Sequence, residues 1–373
     1  MISRQLYIGL MSGTSADSLD AALVDFSTLP LKVVNTYSLP IAKKTRNLIH
    51  QLAIAGNNEI AHLRQLDRET ALLSCKVVRT LCQQANCQLQ SIIAIGSHGQ
   101  TIRHYPTKNH ETGYSLQVGD PNIIAENLGV TTISDFRRRD IAAGGQGAPL
   151  APAFHNAVFH SKNKDRIILN LGGIANITLL TKSGKVIGYD TGPANGLMDS
   201  WCQKHQGKPY DIDGKWASEG NTNNKLLEQL LAHPFFTQSF PKSTGREEYN
   251  LPWLEQEIAS FKHTLKPEDI QATLLQLTVE SIANAIEQHD QQASADLYLC
   301  GGGTHNPALF NALITRLKPR RLASTEALGI SPDWVEAIAF AWLAKQTMDK
   351  AAGNLPAVTG ANRDVILGGI YLG

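Results

Sequence analysis

Three short segments place glycine beside hydroxyl or amide side chains directly after an apolar run. They are Ser12–Ser15 ("SGTS"), Leu171–Gly173 with Asn176 ("LGGIAN"), and Gly301–Gly303 with Thr304 ("GGGT"). Glycine lets a backbone approach a phosphate closely, and peptide N–H groups and hydroxyls donate to its oxygens. The third segment also leads into a helix start, a ready site for an anion or a ribose. No Gly-Lys-Ser/Thr follows any of them, which excludes a Walker A loop, and none is the G-x-G-x-x-G dinucleotide fingerprint. Each alone could be a structural turn; all three after apolar strands point to a nucleotide. Asp17 and Asp20 flank the first segment. A carboxylate repels phosphate unless a cation lies between, so Mg²⁺ is the functional reading for one of them and a solvated loop carboxylate the other reading. Asp190 in "GYDTGPAN" ends a β-rich run beside a glycine–proline turn. From the residues alone it reads equally as a functional carboxylate at a cleft edge and as a turn-forming carboxylate.

Further polar groups stand near apolar runs. "SHGQT" puts His98, Gln100 and Thr101 after the short strand Ile92–Ile95, as ligand contacts or, for a lone histidine, as structure. "DFRRRD" supplies Arg137, Arg138 and Arg139, able to grip a carboxylate bidentately, although not all three can point one way. Glu336 lies in the apolar "WVEAIAFAW" helix and, if buried, needs a partner; it is a candidate substrate or metal contact, or an amphipathic helix's polar edge. With no H-E-x-x-H and no close histidine–carboxylate set, no structural zinc is expected.

The elements that must hold these groups alternate strand and helix. The chain has 373 residues, 42% hydrophobic and 18% charged, a length and composition that favour two α/β domains. A formal charge of +1 gives no electrostatic reason to expect nucleic acid or an anionic membrane. No apolar run reaches the roughly 18 residues of a membrane span, and the N-terminus lacks a signal-peptide pattern. Five cysteines without a CxxC pair read as reduced thiols of a cytosolic protein. The opening residues predict strand–loop–strand with "LKVVNTYSLPI" as a third strand, and Leu63, Leu66, Leu73, Val77 and Leu81 predict a helix over 59–84. "SIIAIGSHGQT" reads as a short strand ending in a polar loop at Gly96–Thr101. "AAGGQGAPLAP", Ala142–Pro152, reads as a boundary or hinge. "RIILNLGGIANITLL" then repeats the opening hairpin, Gln271–His289 predicts a long helix, and "ADLYLCGGGTHNPALF" predicts strand, glycine turn and helix. The repeated unit suggests an internal duplication.

Two hairpin phosphate loops and a later "GGGTHNP" loop resemble the actin, Hsp70 and sugar-kinase superfamily. Within it, "GLMSGTSADSLDAALVDF", "SHGQTIRH", "SDFRRRDIAAGGQGAPLAP", "LNLGGIANIT", "DTGPANGLMD", "KSTGREEYN", "GGGTHNP" and "VTGANRDVILGGIY" resemble the anhydro-N-acetylmuramic acid kinase family over nearly the whole chain. The family's first loop reads GTSxDGxD, whereas Ser18 stands here in place of the glycine. A serine there would be strained if the position required positive φ. The resemblance implies a two-domain actin-like or sugar-kinase ATPase fold with an interdomain cleft. The expected domains are 1–135 and 136–349, with 350–373 packing back on the first. It implies Asp190 as catalytic base and an ATP site drawn from Gly13, Thr14, Ser15, Ala16, Asp17, Ser18, Leu19, Asp20, Asn170, Gly172, Gly173, Asn176, Gly301, Gly302, Gly303 and Asn306. His98, Gln100, Thr101, Arg137, Arg138 and Glu336 would contact the sugar. Its reaction opens the bridge of 1,6-anhydro-N-acetylmuramic acid with water and phosphorylates O6 from ATP with Mg²⁺, for cell-wall recycling. A cytoplasmic homodimer closing two lobes around its ligands is further implied. The rivals are another sugar kinase acting on a free hydroxyl and an ATP-driven conformational machine.

Overall fold

The helix Glu59–Gln84 forms over the span its periodicity predicts, and Leu66, Val77 and Leu81 are buried along its inner stripe. It belongs to a computed structural model that describes residues 4–106, 113–240, 242–245, 248–261 and 264–373. The strands in chain order are β1 (Leu6–Ser12), β2 (Ser18–Asp25), β3 (Lys32–Pro40), β4 (Ile92–Tyr105), β5 (Tyr114–Val118), β6 (Thr132–Ser134), β7 (Arg166–Leu171), β8 (Ile174–Leu180), β9 (Val186–Pro193), β10 (Asp296–Cys300), β11 (Leu322–Ser324) and β12 (Gly369–Tyr371). Two sheets result, ordered β12-β6-β4-β1-β2-β3, with β5 hydrogen-bonded to β4, and β11-β10-β7-β8-β9.

The second sheet repeats the first. In one, β1–β2 and β2–β3 are antiparallel while β1–β4 and β4–β6 are parallel. In the other, β7–β8 and β8–β9 are antiparallel while β7–β10 and β10–β11 are parallel. The repeated hairpin read in the sequence is thus the start of a repeated five-strand topology, one copy per unit, in the two-domain α/β class that the resemblance implies. Unit 1 holds the described residues up to Val158 and those from Trp334 to Gly373; unit 2 is Phe159–Asp333. No helix among the described residues is long and apolar enough to cross a membrane.

The divisions at 158/159 and 333/334 differ from the expected 135/136 and 349/350 for two reasons. The glycine-rich connector is tied to the C-terminal segment of unit 1. Buried Asp140 accepts hydrogen bonds from Asn354 Nδ2 and Thr359 Oγ1, each 2.8 Å, and from the Gly147 N–H at 2.8 Å. Gln146 N–H donates to Thr359 O, and Asn362 N–H to Ala143 O. Second, the helix Val335–Met348 lies directly on β1 and β4. A Cβ at Gly9 would sit 1.8 Å from Ala337 O, and one at Gly96 2.0 Å from Phe340 O. Only glycine permits that approach, and it explains why this helix is apolar on nearly every side. Residues 350–373 fall within unit 1. In unit 2, the helix Pro267–Glu287 buries almost its whole length and forms the spine of the core, with Leu274, Leu277, Val279 and Ile282 among its contacts. Its first turn is set by Pro267, a residue whose fixed φ suits that position.

Candidate active site

In unit 1, β1 delivers the chain into the loop Gly13–Asp17. Ala16 N–H donates to Gly13 O at 3.0 Å, closing a tight turn. Ala16 adopts φ 54°, whereas Ser18 has no left-handed backbone; it opens β2 and donates from Oγ to Asp20 Oδ1 at 2.8 Å. The serine that replaces the family's glycine is therefore unstrained, and the constrained residue lies two positions earlier. Thr14 is exposed and Ser15 half-buried, so both hydroxyls can reach a ligand. Ala16 and Leu19 turn their side chains into hydrophobic clusters and can offer a nucleotide only backbone groups.

The loop is anchored from below by β4. Ser12 Oγ lies 2.7 Å from Gln100 Oε1 and 2.9 Å from Ser18 O, and Gln100 Nε2 donates to Gly13 O at 3.2 Å. Gln100 is buried and its amide is engaged at both ends by the polypeptide. Thr101 accepts from Gln117 Nε2 at 3.2 Å. The stretch "SHGQT" is not the loop expected after Ile95, because β4 runs on to Tyr105. Pairing with β1 as far as Gln100 and with β5 over Gln100–Tyr105 keeps these polar residues extended.

His98 is buried and stays neutral: desolvation holds its pKa well below the ordinary imidazole value, with the Arg137 charge acting the same way. Its Nδ1 pairs with Gly99 O at 2.8 Å, which as the protonated nitrogen leaves Nε2 to accept from Arg137 Nη2 at 2.9 Å and Nε at 3.1 Å. Arg137 Nη1 donates to Gly147 O at 2.9 Å. His98 thus aims Arg137. Of the three arginines only Arg137 turns inward; Arg138 is ion-paired with Asp135 at 2.6 Å and, like Arg139, is exposed. Glu336 opens the helix Val335–Met348. Desolvation raises its pKa, attraction to Arg137 opposes this, and repulsion from Asp20 adds to it. Asp20, Arg137 and Glu336 therefore share one electrostatic neighbourhood. Asp20 Oδ1 also accepts from Ser38 Oγ at 2.6 Å, while Asp17 pairs with Arg46 at 2.7 Å on the surface.

In unit 2, the turn Gly172–Gly173 and the segment Gly301–Gly303 come together. A Cβ at Gly301, φ +82°, would meet Asn170 Oδ1 at 2.4 Å, and one at Gly303 would meet Leu171 Cβ at 2.7 Å. The helix Asn195–Gln206 starts against the same turn: Asn195 N–H donates to Gly172 O and Gly196 N–H to Gly173 O, each at 3.1 Å. Asn195 was not among the expected residues, yet its Nδ2 donates to Leu171 O at 3.0 Å. Asn306 caps the helix Pro307–Arg316, accepting from Leu309 N–H at 3.2 Å.

Asp190 lies on β9, every residue of which is buried. The ladder registers pair Asn170 with Asn176 and Asn176 with Asp190, so the three form one cross-strand row beside the glycine turn. Asp190 Oδ2 accepts from Ser243 Oγ at 2.7 Å and from Thr244 N–H at 3.0 Å, while Asp190 N–H donates to Lys242 O at 3.2 Å. These three partners open the "KSTGREEYN" stretch, to which residue types alone gave no role; Arg246 and Glu247 of it lie outside the described residues.

Among the described residues no three His, Cys, Asp or Glu side chains converge as a metal site. The hard oxygen donors of Asp20 and Asp17 nonetheless suit a Mg²⁺ held chiefly by phosphates and water.

The family model described as anhydro-N-acetylmuramic acid kinase matches residues 5–373. The chain is 49% identical over 372 residues to the anhydro-N-acetylmuramic acid kinase of Coxiella burnetii strain Dugway 5J108-111, covering 99% of this chain and 98% of the relative. It is 49% identical over 371 residues to that of Shewanella pealeana, covering 99% of each. Solved structures are loosely similar. A nucleotide-bound activator of 2-hydroxyisocaproyl-CoA dehydratase from Clostridium difficile has a TM-score of 0.42 at 12% identity, covering 93% of this chain and 98% of that one. The ROK hexokinase of Thermus thermophilus has a TM-score of 0.36 at 12% identity, covering 91% and 100%.

Proposed function

The chain belongs to the anhydro-N-acetylmuramic acid kinase family, and from that premise we propose that Asp190 is the general base of a ring-opening phosphorylation of 1,6-anhydro-N-acetylmuramic acid by ATP. Asp190 takes a proton from water as the water oxygen bonds to C1 of the sugar. The C1–O6 bond breaks, O6 takes the γ-phosphoryl group, and the bond from that phosphorus to ADP breaks. The products are N-acetylmuramate 6-phosphate and ADP. The observation that carries this reading is the seat of Asp190: a buried carboxylate, gripped on one oxygen by Ser243 and Thr244, in a row with Asn176 and Asn170 beside the glycine turn.

The remaining roles follow from the local chemistry of each unit. Backbone N–H groups and hydroxyls of Gly13–Ser18 and the Gly172–Gly173 turn hold phosphate oxygens, with Gly301–Gly303 at the nucleoside. Asp20 or Asp17 would hold a Mg²⁺ that would neutralise phosphate charge. Arg137, aimed by His98, presents its guanidinium charge to the lactyl carboxylate of the sugar. Glu336 and Thr101 are assigned to the sugar; Gln100 and Asn306 support the loops beside them. The reading places the enzyme in cytoplasmic murein recycling and, with the family resemblance, as a homodimer whose mass light scattering would check.

The test is turnover of the anhydro sugar with ATP in H₂¹⁸O, for wild type and Asp190→Asn. The expected result is ¹⁸O at C1 of a 6-phosphorylated product, with kcat lowered about 10²–10⁴-fold in the variant. Turnover only of sugars with a free 6-hydroxyl, without label, would make this an ordinary sugar kinase and overturn the mechanism.

A further inference from the structure

The "KSTGREEYN" stretch carries polar residues that the reaction as proposed leaves without a task. Lys242 is a buried lysine, 8% exposed. Its ammonium donates to Phe235 O at 3.1 Å and Phe236 O at 3.3 Å, and it lies 4.6 Å from the Phe235 ring centroid and 5.7 Å from that of Tyr189. Burial lowers its pKa and attraction to Asp190 acts the other way, so the two charges sense each other inside unit 2. One residue on, Ser243 gives its hydroxyl proton to Asp190 Oδ2; the next, Thr244, gives its peptide N–H to the same oxygen. The far side of the segment is fixed as well. Thr244 Oγ1 donates to Glu248 Oε2, and buried Tyr249 is hydrogen-bonded to His233 Nδ1 at 3.2 Å and packs edge-on against Phe235 and Trp253.

We propose that residues 242–244 are the positioning element of the general base, with Ser243 as its key side chain; this rests on the assignment of Asp190 as base. A carboxylate that accepts protons from water must keep one orientation and remain ionised between turnovers. Two donors on one oxygen fix the rotation of the carboxyl group and stabilise its charged form. Lys242 adds a cation whose own hydrogen bonds go to two backbone carbonyls, which anchor its ammonium as a fixed local charge. Among the described residues, Lys242 faces this seat in unit 2 and Glu248 lies one hydrogen bond further, through Thr244.

The experiment compares wild type, Ser243→Ala, Ser243→Thr and Asp190→Asn across pH, with thermal melting as a check on folding. Ser243→Ala is expected to lower kcat about tenfold, the loss of one hydrogen bond to a charged group, with KM for ATP within about twofold. Losing a donor to the ionised form raises the pKa of a carboxyl, so the acid limb of the kcat profile should move to higher pH. Ser243→Thr, which restores a hydroxyl, should recover most of the rate. Wild-type kcat in Ser243→Ala, or a lower kcat with an unmoved acid limb, overturns the positioning role while inactive Asp190→Asn leaves the base standing. An active Asp190→Asn overturns the base itself, and the positioning role with it.

Discussion

The two units share a strand order but carry their candidate groups on different strands. The third strand of unit 1, β3, is half-exposed along its length, and none of the candidate groups lies on it. Its counterpart in unit 2, β9, is buried at every residue and carries Asp190. The reverse holds one strand along. In unit 2, β10 stops at Cys300, and Gly301 turns the chain toward the helix Pro307–Arg316. In unit 1, β4 runs on to Tyr105 and brings His98, Gln100 and Thr101 with it. The hairpins differ too: β7–β8 turns on two glycines, whereas β1–β2 turns on a loop braced by Ser12 and Gln100. Shared topology supplies the frame, and the candidate groups sit where one copy departs from the other.

The largest test of this contrast lies in the packing beneath the loops. Gly9→Ala would drive a Cβ into the backbone of the helix Val335–Met348, whereas a Cβ at Gly172 meets nothing nearer than Ile174 O at 3.4 Å. We expect Gly9→Ala to destabilise by about 3 kcal/mol or more and Gly172→Ala by under about 1 kcal/mol. Denaturant titration of both variants decides; equal losses would mean that the backbone contact is not special to unit 1.

A smaller effect concerns charge. The carboxyl pKa of Glu336 is raised by burial, so as pH rises the unfolded chain ionises this group before the native protein does, and native stability falls. Glu336→Gln removes that penalty. Its melting temperature should match wild type near pH 4 and exceed it at pH 8; a constant difference across pH would show that Arg137 fully offsets the burial.

The smallest effect distinguishes two residues of the first loop. Ala16 holds φ 54° and Ser18 an ordinary backbone, so Ala16→Gly should be neutral or stabilise by up to about 1 kcal/mol, while Ser18→Gly should cost roughly 0.5 kcal/mol. The opposite order would put the left-handed residue at Ser18.

Much of this was legible in the chain itself. Periodicity fixes the helix over 59–84, and apolar runs broken by Gly172–Gly173 and Gly301–Gly303 fix the strands and turns of unit 2, because those signals are local. Motif resemblance identified the family and singled out Asp190. The extension of β4 through "SHGQT" was not legible, since a polar sequence stays extended only when partner strands on both sides take up its backbone groups. The inclusion of 142–152 in unit 1 depends on Asp140 meeting Asn354 and Thr359, more than 200 residues away in sequence. Which of three consecutive arginines turns inward depends on the position of His98 Nε2, and the grip of Ser243 and Thr244 on Asp190 joins residues over 50 positions apart. Sequence determined which chemical groups were available and where each local element begins. Tertiary pairing decided which groups meet, because a hydrogen bond between distant residues leaves no period or spacing to read.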